Sequence, residues 1–292
     1  MPTAKQRRLQ LRELMKLPGL TVAPSCFNAL SGCLIEQTGY KAIHVSGSSV
    51  ARSHAYADLG LLGMAEMVAI HERIVEATGL PVVGDAECAF GAPIHAARTV
   101  RSYERAGLAA IHIEDEIFPK GQGDSAHQVL PKNTMVGKLK AALDARSDET
   151  FVVIARCNAR ESETFNQVMD RLAAYAETGV DAIWPGVRLP EELGRLRRLV
   201  SLPMVGVPPR QQMSLSAYGE FGFKIGCVPG ILGQAATAAM AELLQIFKET
   251  GSDEDYWKPR PGADRWRQWF SNLGKEEQEA MARLIPGRSS KS

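Results

Sequence analysis

Apolar runs of strand length alternate with amphipathic stretches along most of this chain. Five of these runs begin directly after a glycine that ends an amphipathic stretch, in the phrases QTGYKAIHV, ATGLPVVGD, RAGLAAIHIED, ETGVDAIWP and EFGFKIGCV. The glycines concerned are Gly39, Gly79, Gly107, Gly179 and Gly222. Because glycine is the usual left-handed cap just beyond a helix end, each phrase predicts a helix that ends and a buried strand that begins.

Three further apolar runs, GLTVAPS, TFVVIARCN and LPMVGVP, bring the number of predicted strands to eight. Helical patterns lie between them, and this alternation over about 250 residues is typical of an α/β chain folded as a (β/α)8 TIM barrel. No linker interrupts the pattern, so we predict a single domain, residues 1–292, with the barrel at about 19–250 and a helical tail at 251–292. A functional site is then expected at the carboxyl ends of the strands.

The two ends of the chain carry helical patterns outside the predicted barrel. The tail holds three of the four tryptophans, Trp257, Trp266 and Trp269, and an exposed aromatic helix would favour aggregation. We therefore expect the tail to pack on a neighbouring element or on a second subunit. The basic opening segment MPTAKQRRLQLRELMK is expected to be a helix packed on the domain, with an organelle-targeting helix as the alternative.

Composition narrows the classes of function. The chain has 292 residues, 45% of them hydrophobic, and a formal net charge of +1, so it lacks the broad basic field of a nucleic-acid binder. Its five cysteines include no CxxC pair, which argues against a disulfide framework and against a cysteine zinc site. No apolar run reaches the length of a membrane span, and no signal peptide is recognisable. These features favour a cytoplasmic protein that binds a small molecule.

Acidic side chains stand at the carboxyl ends of two neighbouring predicted strands. Strand alternation would point the carboxylates of Asp85 and Glu87 to the same side as Val83. Glu114 ends the next strand, and Arg156 ends the one after it. Carboxylates without nearby cysteines or paired histidines suit Mg²⁺ or Mn²⁺ better than Zn²⁺. The alternative is that these acids are solvated or pair with Arg156.

Two histidines lie within predicted strands. By alternation, His112 shares one side of its strand with Glu114, whereas Asp115 points to the other side. We expect His112 to be a core residue rather than a ligand. For His44, a position lining the pocket and a packed position in the core are equally compatible with the pattern.

Five short segments together resemble the phosphoenolpyruvate mutase and isocitrate lyase superfamily. They are VSGSSVA (45–51), DLGLL (58–62), GDAECAFG (84–91), IHIEDEIFPKGQG (111–123) and VIARCNA (153–159). The resemblance extends over residues 20–250. It implies a barrel enzyme that breaks or forms a bond next to a pyruvate-like fragment and holds the enolate on Mg²⁺. It also implies a last helix swapped with a neighbouring subunit, and hence a homo-oligomer, either a dimer or a tetramer.

The resemblance assigns roles around the metal by position. Asp85, Glu87 and Glu114 match the acids that hold Mg²⁺ directly or through water, with Mn²⁺ as the alternative ion. Asp58 matches an acid near the metal and the reacting centre, which makes it a candidate catalytic residue. The implied chemistry is Lewis-acid stabilisation of the charge that develops as the enolate forms.

The resemblance also assigns the groups that bind substrate. Ser46, Gly47 and Ser48 match a loop whose backbone N–H groups receive the substrate carboxylate. Arg156 matches the arginine that pairs with this carboxylate, and a guanidinium can do so through two parallel hydrogen bonds. Arg156 is therefore both a substrate-binding and a catalytic candidate.

The chain departs from the lyases of that superfamily at four places. Gln122 stands where the lyases carry a cysteine that gives a proton to the enolate, and glutamine cannot supply it. Gly186 stands in place of a glutamate, and residues 207–210, VPPR, stand in place of an asparagine-containing stretch. Glu87 replaces an aspartate of the metal motif. The groups expected for the second half of a lyase substrate are therefore missing.

These departures favour a carbon–carbon lyase that needs neither the cysteine nor a second acid pocket. Our specific hypothesis is a Mg²⁺-dependent oxaloacetate decarboxylase. A second hypothesis is a lyase of the 2-methylisocitrate or dimethylmalate type, in which Asp124, His127 or Arg210 takes over the missing roles. A third is an enzyme of the phosphonopyruvate type, acting on a phosphorus–carbon bond, and a fourth is a barrel that binds a carboxylate without turnover.

Overall fold

The computed structural model describes residues 1–120, 128–187, 189–208, 214–258, 260 and 262–275. The chain divides into two compact units, Met1–Gln234 and Ala235–Ser292. Within the described part of the chain, no helix combines the length and the apolar character needed to cross a membrane.

A closed barrel of eight parallel strands forms the centre of the first unit. The strands are β1 (Thr21–Cys26), β2 (Ile43–Val45), β3 (Val82–Asp85), β4 (Ala110–Glu114), β5 (Val152–Arg156), β6 (Ala182–Trp184), β7 (Met204–Gly206) and β8 (Phe223–Val228). Each strand pairs with the next in sequence, and β8 closes the barrel by pairing with β1, where Ile225 lies opposite Thr21. The predicted fold class is therefore confirmed.

Helices follow the strands because amphipathic stretches need an apolar surface to cover. In α7, Thr164 caps the amino end by accepting a hydrogen bond from the Gln167 N–H, and buried Val168, Leu172 and Tyr175 recur every three or four positions. The helices are α1 (Ala4–Lys16), α2 (Ala29–Gln37), α3 (Gly47–Ser53), α4 (Met64–Ala77), α5 (Pro93–Arg105), α6 (Lys132–Ala145), α7 (Phe165–Ala176), α8 (Pro190–Leu199), α9 (Leu215–Glu220), α10 (Ile231–Thr250), α11 (Glu254–Trp257) and α12 (Ala263–Asn272). A 3₁₀ turn, Ala159–Glu161, follows β5.

Four of the five glycines predicted to cap helices adopt the left-handed conformation. Their φ angles are 89° at Gly39, 84° at Gly107, 92° at Gly179 and 96° at Gly222. The prediction is wrong for Gly79, which has no positive φ, because the chain leaves α4 in an extended conformation at Thr78. The N–H of Gly79 instead donates to Glu36 Oε1 at 2.9 Å, and a Cβ at this position would lie 2.9 Å from the same oxygen.

Helix α1 packs against the amino-terminal end of the barrel, as expected for the basic opening segment. Leu11 is fully buried in the lower layers of the core. The Nε of Arg8 donates to the Leu108 carbonyl at 3.1 Å, and the Nη2 of Arg12 donates to Asp181 at 2.8 Å. The basic residues of α1 thus bind carbonyls and acids close to the amino ends of the strands.

Helix α10 and the second unit carry exposed apolar side chains. No residue of α10 is buried, and Met240, Leu244 and Phe247 are more than half exposed at helical spacing. Phe270 on α12 is 60% exposed, whereas Tyr256 on α11 is buried. The expectation that the tail, 251–292, packs on a neighbouring element or on a second subunit stays a prediction.

Candidate active site

The acids that the sequence places at the strand ends lie close together at the carboxyl-terminal mouth of the barrel. Asp85 ends β3, Glu114 ends β4, and both carboxylates are buried. The ammonium of Lys120 lies 2.6 Å from Glu114 Oε1 and also contacts Glu87. Asp58 Oδ1 lies 3.7 Å from the same nitrogen. The structure therefore brings together the four acids that the sequence singles out.

Glu87 reaches this cluster by a route that strand alternation does not predict. Strand β3 ends at Asp85, and Glu87 has a left-handed backbone with a φ of 52°. The prediction that both side chains share one face of a strand is therefore wrong. A turn brings them together instead, because the Glu87 N–H donates to Asp85 Oδ1 at 2.9 Å.

The segment after Glu87 is held in an unusual backbone conformation. Ala89 and Phe90 also have left-handed φ angles, 57° and 55°, which few residues besides glycine adopt. Lys138, 2% exposed on α6, donates from Nζ to the Cys88 carbonyl at 2.7 Å. Such a conformation persists only where surrounding contacts impose it, and a buried ammonium is one such contact.

Lys120 is a member of the site that the sequence did not single out as functional. Its side chain is 11% exposed, and its ammonium contacts Glu87 and Glu114 and lies 4.0 Å from Glu116 Oε2. The residue belongs to the segment IHIEDEIFPKGQG (111–123), whose resemblance to the superfamily was the available signal. In this structure Lys120 is the cation at the centre of the carboxylates.

Arg156 ends β5 beside the same cluster. Its Nη1 lies 3.3 Å from Glu114 Oε2 and 3.8 Å from Asp85 Oδ2. Its Nε donates to Asn158 Oδ1 at 3.1 Å, and its Cζ lies 5.0 Å from the centre of the Trp184 ring. The guanidinium is therefore held on one face by an aromatic ring and along one edge by an amide.

The predicted carboxylate-binding loop lies at the start of α3. Ser46 caps this helix, and its Oγ lies 3.1 Å from the Oγ of Ser48. The Gly47 N–H donates to Asp85 Oδ2 at 3.0 Å, so in this structure it binds the acid cluster. A Cβ at position 47 would overlap Glu87 Oε1, so any other residue there would displace that carboxylate. The role of Ser46, Gly47 and Ser48 in binding substrate stays a prediction.

Charges in the cluster perturb one another. Burial and the negative charge of Asp85 raise the pKa of Glu87 to about 8. For Asp85 and Glu114, burial acts to raise the pKa, but nearby positive charges, Lys120 and Arg156 among them, outweigh it and lower both values. Burial acts to lower the pKa of Lys120, but the surrounding carboxylates hold it well above its usual value. Glu87 is therefore the carboxyl group of this trio that most readily takes up a proton.

Two buried histidines lie beneath the cluster. Burial lowers the pKa of His44 to about 4 and that of His112 to about 3, so both rings are neutral at pH 7. Their Nε2 atoms are 3.1 Å apart, and Ser25 Oγ lies 2.6 Å from His44 Nδ1. His112 Nδ1 lies 3.7 Å from Asp85 Oδ1. Both rings therefore pack in the barrel core behind Asp85, as expected for His112.

Asp115 points away from the cluster, as strand alternation predicts. Its Oδ2 accepts a hydrogen bond from the Tyr175 hydroxyl at 2.9 Å, and its Oδ1 accepts one from the Asn158 N–H at 2.8 Å. Asp115 thus joins β4 to α7 and to the loop after β5, on the outside of the barrel.

A cavity of about 400 Å³ opens beside the acid cluster, with Lys120 and Arg156 in its lining. Its lining includes the polar side chains Asp58, Glu116, Lys120, Arg156, Asn158 and Arg160. It also includes the apolar residues Leu59, Trp184, Pro185, Val187, Val207 and Phe223. The sequence candidates Gln122, Asp124, His127 and Arg210 lie outside the described residues.

Gly186 forms part of the cavity wall and has a left-handed φ of 66°. A Cβ there would overlap the carbonyl oxygen of Cys157, so we expect Gly186→Ala to lower the free energy of unfolding by about 2 kcal/mol. Urea denaturation would measure the change. Gly137→Ala is the matched control, because Gly137 lies within α6 and a Cβ there would meet no atom within 4 Å. Equal stability of the two variants would contradict this interpretation of Gly186.

The carboxylates of the cluster fit a divalent cation that is held through water better than one that they coordinate directly. Within the described ranges, no group of three or more aspartate, glutamate, histidine or cysteine side chains is arranged to hold a metal ion. Carboxylates of Asp58, Glu87 and Glu114 nevertheless lie around the Lys120 ammonium, and Mg²⁺ prefers such oxygens together with water. A cation held by Asp85, Glu87 and Glu114 would take the place of that ammonium.

Comparison with known proteins places this chain in a family. The sequence matches the family described as phosphoenolpyruvate phosphomutase over residues 11–248. The chain belongs to this family. The resemblance seen in the sequence is thereby confirmed, and the matched residues include all eight strands of the barrel.

The relatives of this chain carry names that state several different activities. The chain is 38% identical over 248 residues to the 2,3-dimethylmalate lyase of Eubacterium barkeri, and the match covers 82% of this chain and 85% of the relative. It is 31% identical over 249 residues to the oxaloacetate decarboxylase of Rhodopseudomonas palustris, with 84% and 86% covered. A structure of phosphonopyruvate hydrolase with oxalate and Mg²⁺ has a TM-score of 0.81 at 26% identity, with 96% of this chain and 98% of the hydrolase chain covered. The lyase and the decarboxylase confirm the predicted class of carbon–carbon lyase.

Proposed function

We propose that this chain cleaves a carbon–carbon bond in a small oxo- or hydroxydicarboxylate with the help of a divalent metal ion. One observation carries the proposal: Lys120 and Arg156, which contact the buried carboxylates, both line the cavity. A 2-oxo or 2-hydroxy acid offers oxygens to a cation and a carboxylate to a guanidinium. It therefore suits a cavity in which a cation position and the Arg156 guanidinium lie side by side. Oxaloacetate decarboxylation is the most specific assignment that we propose.

Asp85, Glu87 and Glu114 are the residues proposed to hold the cation, Mg²⁺ or Mn²⁺. When bound, such an ion supplies Lewis-acid stabilisation of the negative charge that develops on the substrate oxygen. A proton on Glu87, whose pKa is raised to about 8 by burial and by Asp85, competes with the cation. Affinity for the ion is therefore expected to fall as the pH falls below about 8.

Arg156 is proposed to bind the substrate carboxylate. Trp184 and Asn158 hold the guanidinium in one orientation, so little rotamer freedom is lost when the substrate binds. Asp58 lies at the rim of the same cluster, 3.7 Å from the Lys120 ammonium, and it lines the cavity where the departing or arriving proton must pass. Arg156 and Asp58 are therefore the two residues that we propose act on the substrate.

Decarboxylation requires fewer functional groups from the rest of the cavity than the other candidate reactions do. Loss of carbon dioxide leaves a pyruvate-type enolate that water can protonate, so the reaction needs no cysteine at position 122. Gly186 offers only backbone to the cavity wall, and decarboxylation needs no glutamate there. These two features support oxaloacetate as the substrate.

A dimethylmalate-type lyase is the second candidate. Trp184, Val187, Val207 and Phe223 give the cavity an apolar side that would accept methyl branches on a malate chain. The 38% identity to a 2,3-dimethylmalate lyase supports the same hypothesis.

The test is a substrate panel with the purified full chain. We expect Mg²⁺-dependent loss of oxaloacetate above its spontaneous decay, abolished by a chelator. The same assay with 2,3-dimethylmalate, 2-methylisocitrate and phosphonopyruvate separates the competing hypotheses. Turnover of a branched malate but not of oxaloacetate would replace the specific assignment. Mg²⁺-dependent oxalate binding without turnover of any of the four acids would contradict the enzymatic proposal and favour a binding protein.

A further inference from the structure

We infer that Arg160 binds the distal carboxylate of the substrate and thereby selects ligands that carry a distal carboxylate over those that do not. The inference rests on the proposed function, because it assigns the second end of the substrate whose first end Arg156 holds. It also supplies a group for the part of the substrate that the sequence alone leaves without a partner.

Arg160 and Arg156 line the same cavity. Arg160 lies in the 3₁₀ turn after β5, four residues beyond Arg156, and its side chain is 40% exposed. Arg156 faces the acid cluster, with Nη1 3.3 Å from Glu114 Oε2. The guanidinium of Arg156 therefore lies at the inner end of the cavity, beside the acid cluster, and that of Arg160 lies nearer to solvent.

Glu192 fixes the orientation of Arg160. This carboxylate comes from α8 and is 8% exposed. Its Oε1 accepts hydrogen bonds from Arg160 Nε at 3.1 Å and from Nη2 at 2.8 Å. A guanidinium has five N–H donors, and no hydrogen bond from Nη1 to the described residues is present. Arg160 is thus held in place and keeps donors for an anion.

The wall next to the turn leaves room for a ligand. Gly186 lies two residues after β6, and a Cβ at this position would overlap the Cys157 carbonyl oxygen and lie 3.9 Å from Asn158 Cα. No side chain from this position competes with Arg160 for the substrate. The apolar residues Trp184 and Val187 line the same cavity, and the other cationic residues in its lining, Lys120 and Arg156, contact the acid cluster.

The test compares a short ligand that occupies only the inner site with a longer one that also has a distal carboxylate. Calorimetry in saturating Mg²⁺ measures binding of oxalate, which lacks a distal arm, and of malate, which has one, to the full chain. We expect Arg160→Gln to weaken malate binding about tenfold or more and to leave oxalate binding unchanged, since a charge-assisted hydrogen bond contributes on that scale. Arg160→Lys is expected to recover part of the loss. Arg195→Gln is the control, because Arg195 on α8 packs over Phe165 and does not line the cavity.

The outcomes separate this inference from the proposal on which it rests. Equal weakening of oxalate and malate by Arg160→Gln, or no change in either, would overturn the role of Arg160. If Arg160→Gln binds both malate and oxalate as tightly as the unmodified chain does, the proposed function is left intact. Failure of the unmodified chain to bind oxalate in Mg²⁺ would overturn the proposed function and this inference with it.

Discussion

Asp85→Ala is expected to weaken Mg²⁺ binding about a hundredfold or more and to abolish metal-dependent turnover. Residues that only orient metal ligands contribute roughly 10–100-fold to metal affinity, and a ligand contributes more. Asp85 also holds the site together, because its two oxygens accept hydrogen bonds from the N–H groups of Gly47 and Glu87. Loss of this carboxylate therefore removes a proposed metal ligand and also two hydrogen bonds that hold Gly47 and Glu87 in place.

Calorimetric titration with Mg²⁺ measures this effect directly, and circular dichroism checks that the barrel remains folded. Strand-end residues of such barrels serve function more than packing, so we expect the fold to persist. Asp144→Ala is the matched control, because Asp144 is an exposed aspartate on α6. The same Mg²⁺ affinity in Asp85→Ala and in the unmodified chain would refute the metal assignment.

Arg156→Ala is expected to lower kcat/KM for oxaloacetate about a hundredfold or more at saturating Mg²⁺. Loss of a charge-assisted, two-point contact with a carboxylate costs a few kcal/mol, which is roughly this factor. The change also removes the cation that Trp184 and Asn158 hold beside the acid cluster. Steady-state kinetics over a range of oxaloacetate concentrations measures the effect.

Gln122→Ala gives the sharpest comparison for Arg156. Gln122 lies outside the described residues, and its chemistry alone predicts that decarboxylation survives its removal, because an amide cannot deliver the proton. Gln122→Cys is likewise expected to give little lyase activity, since Gly186 still lacks a carboxylate. Loss of turnover in Gln122→Ala together with normal turnover in Arg156→Ala would show that the chemistry lies elsewhere than at the barrel mouth.

The barrel was predictable because its signals are local and repeated. Each strand is a short apolar run, and glycines such as Gly39 and Gly222 mark the helix ends that precede two of them. The closeness of Asp85 and Glu114 follows from the same pattern, because consecutive parallel strands end at the same edge of the barrel. Sequence periodicity therefore determines which acids meet.

The rest of the site depends on contacts that the pattern does not contain. Nothing in the residue type of Glu87 predicts a left-handed φ, since that conformation is rare outside glycine and is imposed by neighbours such as Lys138. Lys120 joins the carboxylates from a segment with no strand or helix pattern, so only the folded chain shows the contact. At Gly79, the extended exit from α4 and a distant glutamate override the usual helix cap.

The left-handed segment that begins at Glu87 and is anchored by Lys138 has a consequence for ligand affinity. Its backbone becomes ordered when the barrel folds, through hydrogen bonds to the carbonyls of Cys88 and Ala89. A cation that binds there meets a chain whose conformational entropy has already been lost, at about 1–2 kcal/mol for each ordered residue. For the proposed cation site, selectivity among ions is therefore expected to depend on how well each ion fits a frame that is ordered before the ion binds.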